Sequence, residues 1–240
     1  VVNLGEKNGL KKIINKMLKI PNIYVIHYSK LKDRKSKILE QFSQLHSNIK
    51  FITEYDQEQL TSDVLDNFYL PSDEDFIKKV SPLWNSNVHR PRILNIAEIS
   101  CTIKHITALE EIAKNGDGFI IEDDLIIKDS FVEEFNKAID SLPNDWDVVM
   151  IGSGCNMVSE NIESDKILYK KNHPATRCLD SYLVSQSAAK KICSTIKPFQ
   201  LGADWEVAYH LYLHDMNVYW LEPSPCFQGS KKGVYKSTLR

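Results

Sequence analysis

A chain of 240 residues, 42% hydrophobic and 26% charged, is long enough to bury a full core as one large domain. Its net charge of −2 excludes a surface built as a whole for nucleic acid or another polyanion. Five cysteines without a C-x-x-C spacing exclude a zinc ribbon and a dense disulfide framework, while leaving room for one or two disulfides.

In chain order, GLKKIINKMLKI (9–20) sets Leu10, Ile13, Ile14, Met17 and Leu18 on one helical face with lysines opposite. This is the pattern of a surface helix packed on a domain or left from a linker; a membrane-surface helix is the rival reading. Pro21 ends it, and IYVIHYS (23–29) reads as a first buried strand. The next segment carries Leu31, Ile38, Leu39, Phe42 and Leu45 at helical spacing, and IKFITEY (49–55) reads as a second strand. This β-α-β order opens a parallel α/β sheet.

Residues 57–94 break the rhythm with prolines and scattered aromatics, and are expected to form short helices and loops, a lid or a partner surface. Order returns at Asn95, an N-cap with Glu98 three residues on, as in a capping box. Ile99, Ile103, Ile106 and Leu109 form its buried stripe, and Gly116 suits the C′ position. Then come a strand, GFIIEDD, a helix capped by Asp129 or Ser130, and a strand within 145–154. A polar linker precedes RCLDSYLVS, a strand, and a helix capped by Ser185. A helix over GADWEVAYHLYLHD, a last strand in NVYWLEP and a basic tail complete the chain. No repeat appears, so one domain, 21–240, is expected after the leading segment 1–20. No apolar run approaches the length of a membrane span, no stretch resembles a signal peptide, and no Asn-x-Ser/Thr sequon occurs. The chain opens Val-Val, as one domain of a longer polypeptide would; the compartment stays open, with cytoplasm ahead of the secretory pathway.

The chemistry concentrates in Glu122, Asp123 and Asp124, where a buried strand ends. In open α/β sheets the carboxyl ends of strands form the ligand crevice. Alternation along an extended segment points Glu122 and Asp124 to the same side. Two converging carboxylates suit Mg²⁺ or Mn²⁺, which take oxygen ligands and neutralise a leaving diphosphate. The other reading is a solvated turn with Asp124 capping a helix. The GSG at 152–154 lacks the third glycine of a dinucleotide fingerprint, and no P-loop surrounds Lys236-Ser237-Thr238.

Four blocks, in order across residues 21–228, resemble glycosyltransferase family 25, which includes bacterial lipooligosaccharide galactosyltransferases and animal procollagen galactosyltransferases. IYVIHYSKLKDRKSKI resembles the family's opening strand. AEISCTIKHITAL resembles its "Gly-Glu-Ile-Gly-Cys, then Ser-His" block at Glu98, Cys101 and His105. FIIEDDLII resembles its acidic motif. CLDSYLVSQSAAKKI resembles its "Tyr-Leu-Ile-Ser, Ala-Lys-Lys-Leu" segment, with GADWEV supplying a later Asp. The chain departs from the pattern at His27-Tyr28 (usually Asn-Leu), Ser100 (Gly) and Lys104 (Ser), departures that bear on the donor. Residues 57–94 match no block.

The resemblance implies a GT-A-like, Rossmann-like α/β fold with a mostly parallel sheet flanked by helices, and a metal-dependent, inverting hexosyltransferase. It would move galactose or glucose from a UDP-sugar to a hydroxyl of a glycan, a lipooligosaccharide or a collagen-like hydroxylysine. Glu122 and Asp124 would hold Mn²⁺ or Mg²⁺, with Asp123 orienting them. The donor site would draw on His27, Tyr28, Arg34, Asp56, Glu98, His105, Glu122 and Asp123. Arg34 would grip a phosphate or stack on uracil, or else be a solvated helix charge. Glu98 and His105 share a helix face with Cys101 between them, as a donor-site or metal set, or as a cap and a buried histidine. Asp204, with Glu206 second, would be the base, or Asp204 a plain N-cap. Trp205, Trp220 and Tyr182 would stack on sugars or fill the core. Lys231, Lys232, Lys236 and Arg240 would close over diphosphate, or remain a solvated tail. Relatives thought to lack transferase activity make a non-catalytic binding or adhesion module the alternative; a nucleotidyltransferase is a third reading.

Overall fold

The computed structural model describes residues 19, 22–43, 45, 48–84, 92–154 and 156–238. The expected leading helix and Arg240 lie outside these residues. The first β-α-β unit forms as the buried strand run and the helical spacing predict: β1 (Asn22–Ile26), α1 (Lys32–Phe42) and β2 (Asn48–Ile52). The irregular stretch contains 3₁₀ turns and two short helices, α2 (Ser62–Phe68) and α3 (Glu74–Val80), each capped by the residue before it, Thr61 and Asp73.

Asn95 and Glu98 form the expected capping box at the head of α4 (Ile96–Asn115), and Gly116 ends it at φ 103°, a conformation that favours glycine. β3 (Gly118–Glu122), β4 (Leu125–Ile127), α5 (Phe131–Asp140), β5 (Val148–Met150) and β6 (Leu168–Lys171) follow. Ser130 occupies the N-cap of α5, yet its backbone is already helical and its side chain makes no cap hydrogen bond. β7 (Ser181–Val184) leads into α6 (Gln186–Cys193), which Ser185 caps as expected. α7 (Ala203–Leu213), β8 (Val218–Leu221) and β9 (Cys226–Gln228) end the fold.

Seven strands form one sheet in the order β2-β1-β3-β7-β5-β8-β6. β2, β1, β3, β5 and β8 run one way and β7 and β6 the other, so the sheet is mostly parallel. Alternation divides each strand between two buried faces. Tyr24, Ile26 and Ile120 pack with Ile99, Ile103, Ile106 and Ile112 of α4. Ile23, Val25 and Ile121 pack with Ile38 and Phe42 of α1 and with Phe131 and Phe135 of α5. Helices on both faces of one sheet make a single α/β domain of the expected class. α3 joins it through Ile77 and Val80, which pack with Ala208 and Tyr209 of α7.

Two pairings that alternation did not reveal position the site. β7 inserts antiparallel between β3 and β5, which sets its first residues beside the carboxyl ends of its neighbours. β9 pairs antiparallel with β4, Leu125 opposite Gln228, and carries the end of the chain back to the acids.

Candidate active site

β1 and β3 are parallel neighbours, with Ile26 opposite Glu122, so their carboxyl ends open on one cleft. A cavity of about 100 Å³ there is lined by His27, Tyr28, Arg34, Cys101, Lys104, Glu122, Asp123, Asp124, Gln228 and Ser230, among others. The three consecutive acids play different parts. Asp123 is buried and fully engaged: Arg34 Nη1 donates to one carboxylate oxygen at 2.7 Å, and His27 Nδ1 lies 2.8 Å from the other. Arg34 also donates to the Lys236 carbonyl at 2.5 Å and stacks 5.0 Å from the Tyr235 ring centroid.

Glu122 and Asp124 have no cationic partner of this kind. Gln228 Nε2 donates to Glu122 Oε2 at 2.7 Å, and the nearest basic group, His105 Nε2, stands 3.7 Å from Oε1. Asp124 Oδ2 accepts the Ser230 backbone N–H at 3.2 Å, while its buried Oδ1 has no hydrogen-bond partner among the described residues. Burial, then repulsion from Asp124, Asp204 and Asp123, pushes the Glu122 carboxyl well above the usual range. Burial raises Asp124 as well, against the hydrogen bond from Ser230. An orphaned carboxylate oxygen beside a second acid that resists ionisation fits a divalent oxygen-seeking cation. Glu122 and Asp124 would hold that ion, which would supply charge neutralisation for a diphosphate.

A fourth acid, Asp180, heads β7 fully buried. Burial and then Glu122 raise its carboxyl to about 7, and its Oδ2 has no hydrogen-bond partner among the described residues. The GSG segment is its seat. A Cβ at Gly152 would stand 1.9 Å from Asp180 Oδ2, and the Gly154 N–H donates to Oδ1 at 3.3 Å. Asp180 was not among the expected site residues; its one local signal in the sequence is an acid at the head of the strand LDSYLV. Gln228 and Ser230 were missed too, because only the β4–β9 pairing brings them to the acids.

Asp204, in the first turn of α7, is exposed, yet neighbouring protein atoms crowd its carboxyl. That crowding raises its carboxyl, while His105, the Leu179 backbone and Lys231 oppose the shift. Asp204 also contributes to the rise at Glu122, so the two acids share one field. His105 is buried, with Nδ1 3.0 Å from the Tyr182 hydroxyl; burial depresses it to about 4 and keeps it neutral.

Other expected residues are engaged elsewhere. Glu98 caps α4 and receives both Arg92 guanidinium nitrogens, at 2.8 and 2.9 Å. Asp56 is buried against the Lys104 ammonium and the Ser29 hydroxyl. Lys104 in turn donates to the His27 carbonyl at 2.5 Å, so two of the departures from the family pattern are in direct contact. Glu206 is buried, accepting the Gln200 and Leu201 amides at 2.9 and 2.8 Å, with His210 Nε2 at 3.1 Å. Tyr182 is fully buried and Trp220 nearly so, both within the core, whereas Trp205 is 39% exposed beside Asp204. Cys178 is disulfide-bonded, and Cys101, Cys193 and Cys226 are free. Among the described residues no helix is long and apolar enough to cross a membrane.

Comparison with known proteins agrees with this architecture. Residues 20–207 match the family described as Glycosyltransferase family 25 (LPS biosynthesis protein). A protein of Aedes aegypti named "Glycosyltransferase 25 family member" is 24% identical over 157 residues, 63% of this chain and 24% of that protein. The chain therefore spans about a quarter of the length of this curated relative.

Proposed function

Because the chain belongs to glycosyltransferase family 25, we propose that its cleft binds a UDP-sugar with Mn²⁺ or Mg²⁺ and transfers galactose or glucose, with inversion, to a hydroxyl acceptor. A glycan and a hydroxylysine of a collagen-like chain are the acceptor classes. The observation that carries this reading is the Asp124 carboxylate, buried with one oxygen unpartnered beside an acid that resists ionisation. A bound cation removes both costs at once.

In this reading Asp204 takes the acceptor proton as the acceptor oxygen attacks the anomeric carbon and UDP departs. A carboxyl raised toward neutrality suits that work, because a base is most effective with a pKa near the working pH. Arg34 and the turn after β9 border the space for the diphosphate. Trp205 offers an exposed ring for a sugar face.

The test is calorimetric titration of UDP with and without Mn²⁺, on wild type and Asp124→Ala. Binding that needs both the metal and Asp124 supports the reading; metal-independent binding, or none, removes it. A second reading, a binding module without catalysis, is favoured by one set of contacts. Asp56, Glu98 and Asp123 are each engaged by a basic side chain of the protein itself. It predicts no Mn²⁺-dependent UDP binding.

A further inference from the structure

Beside the carboxylate pair stands a second donor set of different chemistry. Cys101 and His105 are four residues apart on α4, hence on one face, and meet Glu122 at the end of β3. One ligand atom from each of the three lies within 4.8 Å of the other two. His105 Nε2 is buried, in a residue only 1% exposed, and has no hydrogen-bond partner among the described residues. A buried polar nitrogen left unpaired is destabilising, so its persistence calls for an explanation.

We propose that Cys101, His105 and Glu122 bind a thiophilic divalent cation of the zinc class. Thiolate and imidazole favour such an ion over Mn²⁺ or Mg²⁺, which prefer oxygen. Three protein ligands with one open position match the zinc sites that keep a place for water or substrate. Zinc–sulfur and zinc–nitrogen bonds of about 2.3 and 2.0 Å place tetrahedral ligands roughly 3.5 Å apart. His105 Nε2 and Glu122 Oε1 already stand at 3.7 Å, and the cysteine sulfur lies within 4.8 Å of both residues' ligand atoms. The outer contacts are those of a built site. The Tyr182 hydroxyl holds His105 Nδ1 at 3.0 Å, turning Nε2 toward the cluster, and Gln228 holds Glu122 Oε2 at 2.7 Å, leaving Oε1 to the ion. Burial raises the Cys101 thiol and the Glu122 carboxyl, so loading the site releases protons. Glu122 belongs to both donor sets, so the zinc-class ion competes with the oxygen-bound one. That consequence rests on the proposed function; the site itself does not.

The test uses the whole chain, stripped with a chelator and titrated with Co²⁺ without nucleotide, so that its failure is separate from failure of the transferase reading. One equivalent of Co²⁺ should give a near-ultraviolet thiolate-to-cobalt absorption. Cys101→Ser should abolish it, His105→Gln should weaken Co²⁺ binding at least about tenfold, and Cys193→Ser should leave it unchanged. On wild type, one equivalent of Zn²⁺ should slow alkylation of Cys101 about tenfold or more, and that of Cys193 not at all. This second readout does not depend on any variant folding. Absence of the absorption at one equivalent, its survival in Cys101→Ser, or alkylation of Cys101 unaffected by Zn²⁺ would overturn the proposal.

Discussion

Arg34 on α1 holds Asp123, the residue after β3, at 2.7 Å, and His27 lies against the other carboxylate oxygen at 2.8 Å. The middle acid of the triplet is thus paired from within, whereas Glu122 and Asp124 are left to repel each other. Removing one partner of a buried ion pair costs about 3–5 kcal/mol. Asp123→Ala should lose stability of that order in urea unfolding, while Asp124→Asn, which removes a repelling charge, should be neutral or stabilising in chelator. Equal losses would show that the two acids do not differ in role.

Divalent cation should reverse the second result. A ligand present at 100 times its dissociation constant stabilises the folded state by about 2.7 kcal/mol. Mn²⁺ should raise the melting temperature of wild type more at pH 8 than at pH 5.5, where protons compete for raised carboxyls. Asp124→Asn should show little of this rise. A shift of equal size in the variant would place the ion elsewhere.

Asp180 sets a pH dependence of stability. Its carboxyl titrates near 7 in the fold, against about 3.9 in an unfolded chain. Between about pH 4 and 7 the folded state holds a proton that the unfolded state has lost, so stability falls as pH rises through that window, then levels off. Glu122 and Asp124 are raised as well and add to the fall. His105, held at about 4, works the other way, adding stability as pH rises from about 4 to 6.5. His105 offsets much of the fall below about pH 6.5, so in chelator the drop should be most visible as pH passes through about 7, and Asp180→Asn should flatten it. Denaturation series at several pH values decide; an unchanged slope in the variant would remove Asp180 as the cause.

Gly152 and Asp180 should be coupled energetically. A methyl at Gly152 meets Asp180 Oδ2 at 1.9 Å, well inside contact distance. Gly152→Ala should cost about 1–3 kcal/mol, as overpacking does. Adding Asp180→Ala should recover part of the loss, which a double-mutant cycle reads directly. Strict additivity would argue against the contact.

Asp204 is tested by separating binding from turnover. Asp204→Asn should lower kcat by about 10²–10⁴-fold, the range for loss of a general base, with Mn²⁺-dependent UDP binding intact. Glu206→Gln should instead act through stability, because that carboxylate holds the Gln200 and Leu201 amides. If Glu206→Gln stops turnover in a folded protein and Asp204→Asn does not, the roles exchange.

Local physics made much of this protein legible in its sequence. Continuous apolar runs marked β1 and β3, helical spacing marked α1 and α4, and Asn95, Ser185 and Gly116 stand at the helix ends where their chemistry places them. The position of the acids at the end of a buried strand follows from the same short-range rules; Asp123 and Asp124 themselves form a turn, so strand alternation does not fix their sides. What each acid does was decided by residues far away in the chain. Asp56 is bound to Lys104 and Asp123 to Arg34, while Asp180 lies beside Glu122 because β7 inserts between β3 and β5. Gln228 and Ser230 arrive there through the pairing of β9 with β4. Spacing and capping act within a few residues and leave their trace in sequence. Charge pairing and burial act across space, so the division of a run of carboxylates into paired and unpaired groups was set by the tertiary structure alone.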